Sequence, residues 1–368
     1  MTARVIFQQH AFRDPRRIVT AERPCQVAAA LRALETARAA GRWIAGYASY
    51  EMGYCLDARL RPLLPRRRAL PLLRFGVFDG PAEAPPPKGG KAELTAPRPL
   101  WSARDHAAAF ARVHDYIVAG DAYQVNLTFP MAARWRGDPA ALYAALSSKQ
   151  AVPHGALVDL GGPVILSRSP ELFFRTGADG TIQTRPMKGT VARGTDAAED
   201  ARRRSWLAAS AKDRAENLMI VDLLRNDLAR ISRPGTVRVP DLFRIEAYDT
   251  VFQMTSTVTA RLLPATGLAG ILAAMFPCGS VTGAPKIRAM EIIREVEPHS
   301  RGIYCGSIGW AAPDGRMEFN VAIRTLVLHP DGEARLNVGG GVVYDSRAEA
   351  EYEEALWKSR FADLSRPI

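Results

Sequence analysis

The sequence predicts an α+β fold that mixes antiparallel strands with helices, and the last third of the chain supports this most clearly. Two tight-turn sequences, Pro313-Asp314-Gly315 and Pro330-Asp331-Gly332, join three strand-like segments there into an antiparallel meander. A helical segment over 348–361 then closes the meander. The predicted strands are 303–311, 317–328 and 334–344.

The rest of the chain alternates predicted helices and strands without an internal repeat. The helix over 212–229 is apolar from Leu218 to Leu224 apart from Asp222, which predicts that this part is buried. Residues 81–101 are rich in proline, which predicts a linker or loop between an N-terminal region at 1–80 and a larger domain at 102–364. The other predicted helices are 27–40, 103–119 and 287–296, and the other predicted strands are 43–50, 164–175 and 180–190.

The composition of the 368-residue chain excludes several classes of protein. Its net charge of +11 comes partly from arginine clusters such as Arg66-Arg67-Arg68, which no helix-turn-helix or RNA-binding sequence accompanies. We therefore expect no nucleic-acid partner, although a basic protein suits a small anionic substrate. The sequence has no secretory signal, no apolar run that could span a membrane, and widely spaced cysteines. We therefore expect a cytoplasmic protein that does not bind membranes.

Glutamates on two predicted helices are candidates for a cation site. Glu351 and Glu354 share one face of the last helix, where Glu354 could instead simply pair with Lys358. Glu216 comes just before an apolar run, and a glutamate there must be paired, protonated or bound to a cation. Since Mg²⁺ needs only one or two protein carboxylates besides waters and substrate oxygens, the two helices could together hold Mg²⁺.

Basic and glycine-rich segments are candidates for binding an anion. Strand alternation over 317–328 places Arg324 on the polar face, either in solvent or in a cleft where it could clamp a carboxylate. Gly339-Gly340-Gly341 would let the backbone approach a ligand, and the loop 277–286 leads into a helix N-terminus. Lys188 lies between a proline and a glycine; most lysines are solvated, but one in a dry site could be a nucleophile.

Together and in this order, several motifs resemble those of the chorismate-utilising enzymes, which include anthranilate, aminodeoxychorismate, isochorismate and salicylate synthases. The motifs are Ser169-Pro-Glu-Leu-Phe173, Pro186-Met-Lys-Gly-Thr190, the segments 213–227 and 279–290, Tyr304-Cys-Gly-Ser-Ile-Gly309, Ala322-Ile-Arg324 and Ala350-Glu-Tyr-Glu-Glu354. The resemblance covers roughly residues 103–364, and the segment 46–54 resembles the N-terminal region of the family more loosely. The resemblance implies antiparallel sheets packed together and flanked by helices, the chorismate-binding fold of anthranilate synthases.

The resemblance also implies a role for each matching residue. The implied Mg²⁺ site consists of Glu216, Glu351 and Glu354, with Glu351 near the metal or its waters, and the metal would bind the ring carboxylate of chorismate. The implied substrate-binding residues are Thr190, Ser280, Tyr304, Arg324, Gly340, Gly341 and Lys358.

Within the family, the chain resembles the aminodeoxychorismate synthases, which have a lysine where anthranilate synthases have an alanine. Here that residue is Lys188, which would attack C2 of chorismate while the C4 hydroxyl leaves; ammonia would then attack C4 and expel the lysine. Glu171 would be the general acid that protonates the leaving hydroxyl, unless it is an ion-paired glutamate at a strand end. Gln253 stands where anthranilate synthases have a histidine base, so pyruvate is expected to stay on the product.

The resemblance further implies a partner protein. Because no amidotransferase sequence is visible in the chain, ammonia is expected from a separate glutamine amidotransferase subunit. One alternative is an anthranilate or aminodeoxyisochorismate synthase acting at C2, against which Lys188 and Gln253 count. Another is a non-catalytic subunit that binds chorismate or tryptophan. Four intact residues count against it, namely Glu216, Glu354, Lys188 and Arg324.

Overall fold

The computed structural model describes residues 3–84, 90–249 and 251–365, and no helix in these ranges is long and apolar enough to cross a membrane. The helices are α1 Pro24–Ala39, α2 Ala103–Val118, α3 Pro139–Lys149, α4 Ala197–Ala209, α5 Ala211–Ala229, α6 Leu268–Met275, α7 Lys286–Val296 and α8 Ala348–Lys358. Short 3₁₀ helices are Tyr50–Cys55, Arg61–Leu63, Gly279–Val281 and Ser359–Ala362.

The strands lie between these helices and contribute to two large sheets. They are β1 Arg4–Phe7, β2 His10–Arg13, β3 Arg17–Ala21, β4 Trp43–Ala48, β5 Leu73–Phe78, β6 Ala82–Glu83, β7 Ala92–Leu94, β8 Arg98–Pro99, β9 Gln124–Gly137, β10 His154–Asp159, β11 Val164–Ser169, β12 Leu172–Thr176, β13 Thr181–Arg185, β14 Met187–Ala192, β15 Arg238–Ala247, β16 Val251–Arg261, β17 Gly283–Ala284, β18 Ser307–Ala311, β19 Met317–Asn320, β20 Thr325–Leu328 and β21 Glu333–Val342.

Both sheets are antiparallel, and they pack against each other. The first has the order β17-β9-β21-β20-β11-β10-β1-β2-β6, and the second has the order β14-β16-β13-β12-β19-β18-β4-β5-β3. Phe12 and Ile165 from the first sheet and Trp310 from the second belong to one buried cluster, so apolar burial holds the sheets together. The predicted α+β fold, with packed antiparallel sheets and flanking helices, is confirmed.

Helices α5 and α8 position much of the candidate site. α5 packs against β14 and β16, and α8 packs against β21. On α5 the side chains of Asn217, Ile220 and Leu224 are buried at helical spacing, whereas Leu218 is 43% exposed. The prediction that the whole apolar run of α5 is buried is therefore wrong, because a helix on the surface of a sheet buries only one stripe.

The predicted C-terminal meander is wrong in one respect. The two predicted tight turns are confirmed, but β18 and β19 belong to the second sheet and β20 and β21 to the first. The strand predicted over 317–328 ends at Asn320 and resumes at Thr325 in the other sheet. Arg324 has a left-handed backbone, with φ 51°, so the predicted alternation does not continue through it.

Two of the places where the chain passes from one sheet to the other, 169–172 and 320–325, lie next to each other and together form the crossover region. The N–H of Val321 donates to the carbonyl of Glu171 over 3.0 Å, and the N–H of Arg168 donates to the carbonyl of Arg324 over 2.9 Å. The Ser169 hydroxyl also donates to the carbonyl of Val321 over 2.5 Å. These hydrogen bonds hold Glu171 and Arg324 close together where the sheets meet.

The N-terminal region contributes to both sheets. β1 pairs with β10 in the first sheet, and β4 pairs with β18 in the second. The predicted linker at 81–101 stays a prediction, and residues 85–89 within it, including Lys88 and Gly89, lie outside the described residues. On either side of them, β6 pairs with β2, and β7 and β8 pair with β9.

Candidate active site

A cavity of about 650 Å³ lies between α5, α8, the crossover region and the ends of β14 and β21. The structure brings every predicted site residue to the wall of this cavity. These residues are Glu171, Lys188, Thr190, Glu216, Ser280, Tyr304, Arg324, Gly340, Gly341, Glu351, Glu354 and Lys358.

Lys188 reaches the cavity from an irregular part of β14. The register of β14 against β16 shifts between Met187 and Thr190, and such an irregularity can re-aim a side chain. The side chain of Lys188 is 14% exposed, and its Nζ donates to Oε1 of Gln124 over 3.3 Å. Its Nζ also lies 4.0 Å from Oε2 of Glu216. Lys188 is therefore held between polar groups inside the cavity and not in bulk solvent.

Glu171 is a buried acid on the same wall. It is 4% exposed, and its Oε1 accepts a 2.7 Å hydrogen bond from the hydroxyl of Ser280. Burial raises the pKa of Glu171 to about 7, although the Ser280 hydrogen bond and the charges of Lys188 and Arg324 oppose the shift. A carboxyl with a pKa near neutrality can donate a proton to a leaving group.

Gln253 fixes the backbone next to Lys188. Its Oε1 accepts from the Thr190 hydroxyl over 2.7 Å, and its Nε2 donates to the carbonyl of Gly189 over 2.8 Å. Both ends of its amide are thus used to hold β14. A glutamine amide is not a base at neutral pH, so this position cannot remove a proton from the substrate.

Arg324 presents a positive charge to the cavity. Its burial lowers the pKa of the guanidinium, and the nearby Glu171 carboxylate opposes this shift. Among the residues that the structure describes, no carboxylate lies within ion-pair distance of Arg324. A guanidinium in this state is suited to bind a carboxylate of a ligand through two hydrogen bonds.

Helix α8 forms an acidic wall that also carries a lysine. Lys358 Nζ lies 2.7 Å from Oε1 of Glu354 and donates to the carbonyl of Gly339 over 2.9 Å. The hydroxyl of Ser346 donates to Oε1 of Glu351 over 2.7 Å. Burial and the charge of Glu354 raise the pKa of Glu351, whereas Lys358 lowers the pKa of Glu354.

The three glutamates predicted to bind Mg²⁺ come from two helices. Glu216 on α5 and Glu351 and Glu354 on α8 line the same cavity. Lys212 lies among them: its Nζ is 4.0 Å from Oε1 of Glu216, and its charge opposes the rise in the pKa of Glu351 and contributes to the lowered pKa of Glu354. In the described part of the chain, no group of three or more His, Cys, Asp or Glu side chains could hold a metal ion. Because Mg²⁺ needs only one or two protein carboxylates besides waters and substrate oxygens, the three glutamates on one cavity wall leave the Mg²⁺ site a prediction.

The glycines of β21 leave room in the cavity. A Cβ on Gly340 would lie 2.9 Å from Oε2 of Glu351 and 3.4 Å from Nζ of Lys358. A Cβ on Gly341 would lie 2.9 Å from Nε2 of Gln124 and 3.1 Å from Nζ of Lys188. Any side chain at either glycine would therefore displace the charged groups that face the cavity.

Several residues of the site were not predicted from the sequence. Gln124, at the start of β9, is fully buried; its Oε1 binds Lys188, and its Nε2 has no hydrogen-bond partner in the described part of the chain. Asn126 and Asn337 also line the cavity. One signal was present: Gln124, Asn126 and Thr128 place polar side chains at every second position of an otherwise apolar strand.

A comparison with family models decides the family. The model of the chorismate binding enzymes matches residues 7–362 of the chain. The chain belongs to the chorismate-binding enzyme family. The resemblance of its motifs to the chorismate-utilising enzymes is thereby confirmed.

Curated members of the family show which activities occur among similar chains. The present chain is 46% identical to aminodeoxychorismate synthase component 1 of Klebsiella aerogenes over 261 residues. These residues make up 71% of this chain and 57% of that protein. It is 43% identical to anthranilate synthase component 1 of Streptomyces coelicolor over 266 residues, and these residues make up 71% of this chain and 52% of that protein. The chain thus spans little more than half the length of these relatives.

Solved structures of the family share the fold over nearly the whole chain. Anthranilate synthase component I from Streptococcus pneumoniae TIGR4 superposes with a TM-score of 0.81 at 25% identity, covering 99% of this chain and 92% of that one. The menaquinone-specific isochorismate synthase from Escherichia coli superposes with a TM-score of 0.77 at 21% identity, covering 98% of this chain and 88% of that one. The second similarity shows the fold alone.

Proposed function

We propose that this protein aminates chorismate at C4 with ammonia, giving 4-amino-4-deoxychorismate for the synthesis of p-aminobenzoate and folate. The observation that carries the proposal is Lys188, whose amine lies in the same cavity as the buried acid Glu171. The similarity to aminodeoxychorismate synthase component 1 supports the same activity.

In the first step, Nζ of Lys188 forms a bond to C2 of chorismate. The ring double bonds shift, and the bond between C4 and its hydroxyl oxygen breaks. Glu171 transfers its proton to that oxygen, which leaves as water. The hydrogen bond from the Ser280 hydroxyl restricts the orientation of the Glu171 carboxyl.

In the second step, ammonia forms a bond to C4. The ring double bonds shift back, the bond between Nζ and C2 breaks, and Lys188 is released as a free amine. The proton that ammonia loses restores the acid form of Glu171, so the net reaction is chorismate plus ammonia giving aminodeoxychorismate plus water. Amination at C4 then occurs with retention, because two displacements have taken place.

Cationic and polar groups of the cavity would bind the two substrate carboxylates. The guanidinium of Arg324, which forms no ion pair within the described part of the chain, suits one of them. Tyr304, Lys358 and the backbone of Gly340 and Gly341 would complete the site, with Thr190 and Ser280 on its wall. Glu216, Glu351 and Glu354 would hold Mg²⁺, which would bind the ring carboxylate and stabilise charge as the hydroxyl leaves.

The ammonia would come from glutamine through a partner amidotransferase, with free ammonium as a poorer substitute. The name component 1 of the relatives supports the existence of a partner component. We further propose that the protein acts in the cytoplasm, as a chain with widely spaced cysteines suggests.

A product assay tests the proposed function. Purified protein is incubated with chorismate, Mg²⁺ and ammonium, and the products are separated by mass with and without an added aminodeoxychorismate lyase. We expect aminodeoxychorismate, which is converted to p-aminobenzoate only when the lyase is present. Anthranilate with pyruvate, or an aminodeoxyisochorismate, would instead show amination at C2, and unchanged chorismate would contradict both activities.

Removing one metal glutamate is expected to weaken the binding of Mg²⁺. We expect Glu216→Gln to raise the Mg²⁺ concentration at half-maximal activity at least about tenfold. Calorimetric titration of Mg²⁺ into protein saturated with chorismate gives a second readout that does not depend on turnover. Glu353→Gln is the matched control, because Glu353 is an exposed residue of α8 outside the cavity. Equal Mg²⁺ affinity in the two variants would contradict the metal assignment.

A further inference from the structure

A buried charge cluster lies directly behind the wall of the cavity. Its centre is Arg301, whose side chain is 1% exposed and which follows α7. The guanidinium binds Glu297 twice, from Nε over 2.8 Å and from Nη2 over 2.7 Å. Glu297 also accepts the backbone N–H of Thr128 over 2.8 Å, so its charge is well compensated.

The guanidinium also holds two segments of the cavity wall. Its Nη1 donates to the carbonyl of Val281 over 3.0 Å, and its Nη2 donates to the carbonyl of Asn126 over 2.5 Å. Val281 follows Ser280, whose hydroxyl binds Glu171, and Asn126 itself lines the cavity. A single planar side chain thus ties the Ser280 turn to β9.

The N-terminal segment fixes Arg301 in turn. The Glu51 carboxylate accepts the backbone N–H of Arg301 over 2.7 Å and that of Gly302 over 3.1 Å. The guanidinium carbon of Arg301 lies 4.6 Å from the ring centre of Tyr50, a cation–π contact. The backbone turn that begins at Arg301 leads directly to Tyr304, whose N–H donates to the carbonyl of Arg301 over 3.2 Å.

We propose that Arg301 is a positioning residue of the chorismate site. It fixes the backbone at Asn126 and Val281, and through Ser280 it orients the acid Glu171. Glu51 holds the turn of Arg301 and so places Tyr304, which gives the N-terminal segment 46–54 a function in the site. The identity of the substrate in this inference rests on the proposed function.

Arg301→Lys tests the inference, because lysine keeps the positive charge but lacks the planar fork that binds a carboxylate and two carbonyls together. We expect kcat/KM for chorismate to fall by about tenfold to a hundredfold, as for a small displacement of catalytic groups. Arg38→Lys is the matched control: Arg38 is a buried arginine of α1 that binds Glu35 and the carbonyl of Ala312, outside the cavity. We expect Arg38→Lys to stay within about twofold of the unmodified protein at a similar loss of Tm. Equal kcat/KM values for the two variants would overturn the inference.

A double-mutant cycle with Ser280→Ala separates positioning from general destabilisation. If Arg301 acts through the Ser280 turn, Arg301→Lys has a much smaller effect on kcat in the Ser280→Ala background than in the unmodified protein. Purely additive effects on kcat would contradict this route. If Arg301→Lys does not fold, Glu51→Gln replaces it. Glutamine keeps one of the two acceptor oxygens that hold the N–H groups of Arg301 and Gly302. An unchanged KM for chorismate in Glu51→Gln would then overturn the inference.

Amide hydrogen exchange on the unliganded protein distinguishes this inference from the proposed function. We expect Arg301→Lys to speed exchange in 124–127, 279–284 and 302–306, but not in the sheet strands remote from the cavity. Unmodified protein that neither binds nor converts chorismate would contradict the proposed function alone. Unchanged exchange in these three segments would contradict the positioning role of Arg301, whatever the substrate.

Discussion

Lys188→Ala is expected to reduce the formation of aminodeoxychorismate by roughly a thousandfold or more, because the covalent route through C2 loses its nucleophile. Binding of chorismate should change much less, since Arg324 and the α8 wall remain. Product formation in the presence of ammonium, followed by mass, gives the rate, and calorimetry gives the affinity. Mass spectrometry of unmodified protein quenched with chorismate but without ammonia is expected to show an adduct of chorismate minus water, and this adduct should be missing from the variant.

Lys188→Arg is the informative companion of this variant. Arginine keeps a positive charge near Gln124 and Glu216 but does not lose its proton in proteins, so it cannot attack carbon. We expect it to be as inactive as the alanine variant. Substantial activity in Lys188→Arg would mean that the residue acts only through its charge, and the covalent step would have to be abandoned.

Glu171→Gln is expected to lower kcat by about a hundredfold to ten-thousandfold, the usual range for loss of a general acid. Glutamine keeps an acceptor for the Ser280 hydroxyl, so the fold should survive. Glu318→Gln is the matched control, since Glu318 is a buried glutamate of β19 that binds His154 and Arg175 outside the cavity. A fall in kcat of the same size in both variants would contradict a specific role for Glu171.

The pH dependence of kcat gives a separate check on Glu171. Its pKa is raised to about 7, so the proton-donating form is present below pH 7 and is lost as the pH rises through 7. The activity of the unmodified protein should therefore lose this contribution above about pH 7. The residual activity of Glu171→Gln should not show this decrease above pH 7, because glutamine does not titrate. If kcat decreased above pH 7 in the same way in both proteins, the titrating group would be a residue other than Glu171.

The same shift has a consequence for stability. Because the folded pKa of Glu171 lies above the ordinary value of 4.5, the folded protein binds more protons than the unfolded chain between pH 4.5 and about 7. The contribution of this group to stability therefore decreases as the pH rises through that window. Glu51, which is buried and has its pKa raised to about 7, acts in the same direction.

Much of the site could be predicted because its residues lie in contiguous motifs. Lys188, Glu216 and Glu354 each lie in a segment that resembles the family, and the structure places all three at one cavity. The left-handed backbone of Arg324 could not be predicted in this way. Alternation along 317–328 assumes a continuous strand, whereas the pairing partners of its two halves belong to different sheets, and this is decided by contacts distant in sequence.

The contact of Gln124 with Lys188 could not be predicted for a related reason. A polar residue at the start of a strand is commonly an edge residue in solvent. Here β9 pairs with both β17 and β21, and Gln124 is buried against Gly341 and Lys188. Arg301 was likewise not distinguishable from other arginines, because its partners at 51, 126 and 281 come from three separate parts of the chain. Local patterns predict elements well, but the contacts between remote segments decide which polar groups are buried together.

The crossover region has a consequence for the exchange of segments between relatives. Its two parts, 169–172 and 320–325, form hydrogen bonds to each other's backbone and deliver the acid and the guanidinium to one cavity. The two parts therefore behave as a single module although some 150 positions separate them. A chimera that takes only one part from a relative would join an acid from one protein to a carboxylate-binding arginine from another. In a recombination experiment both parts should therefore come from the same parent.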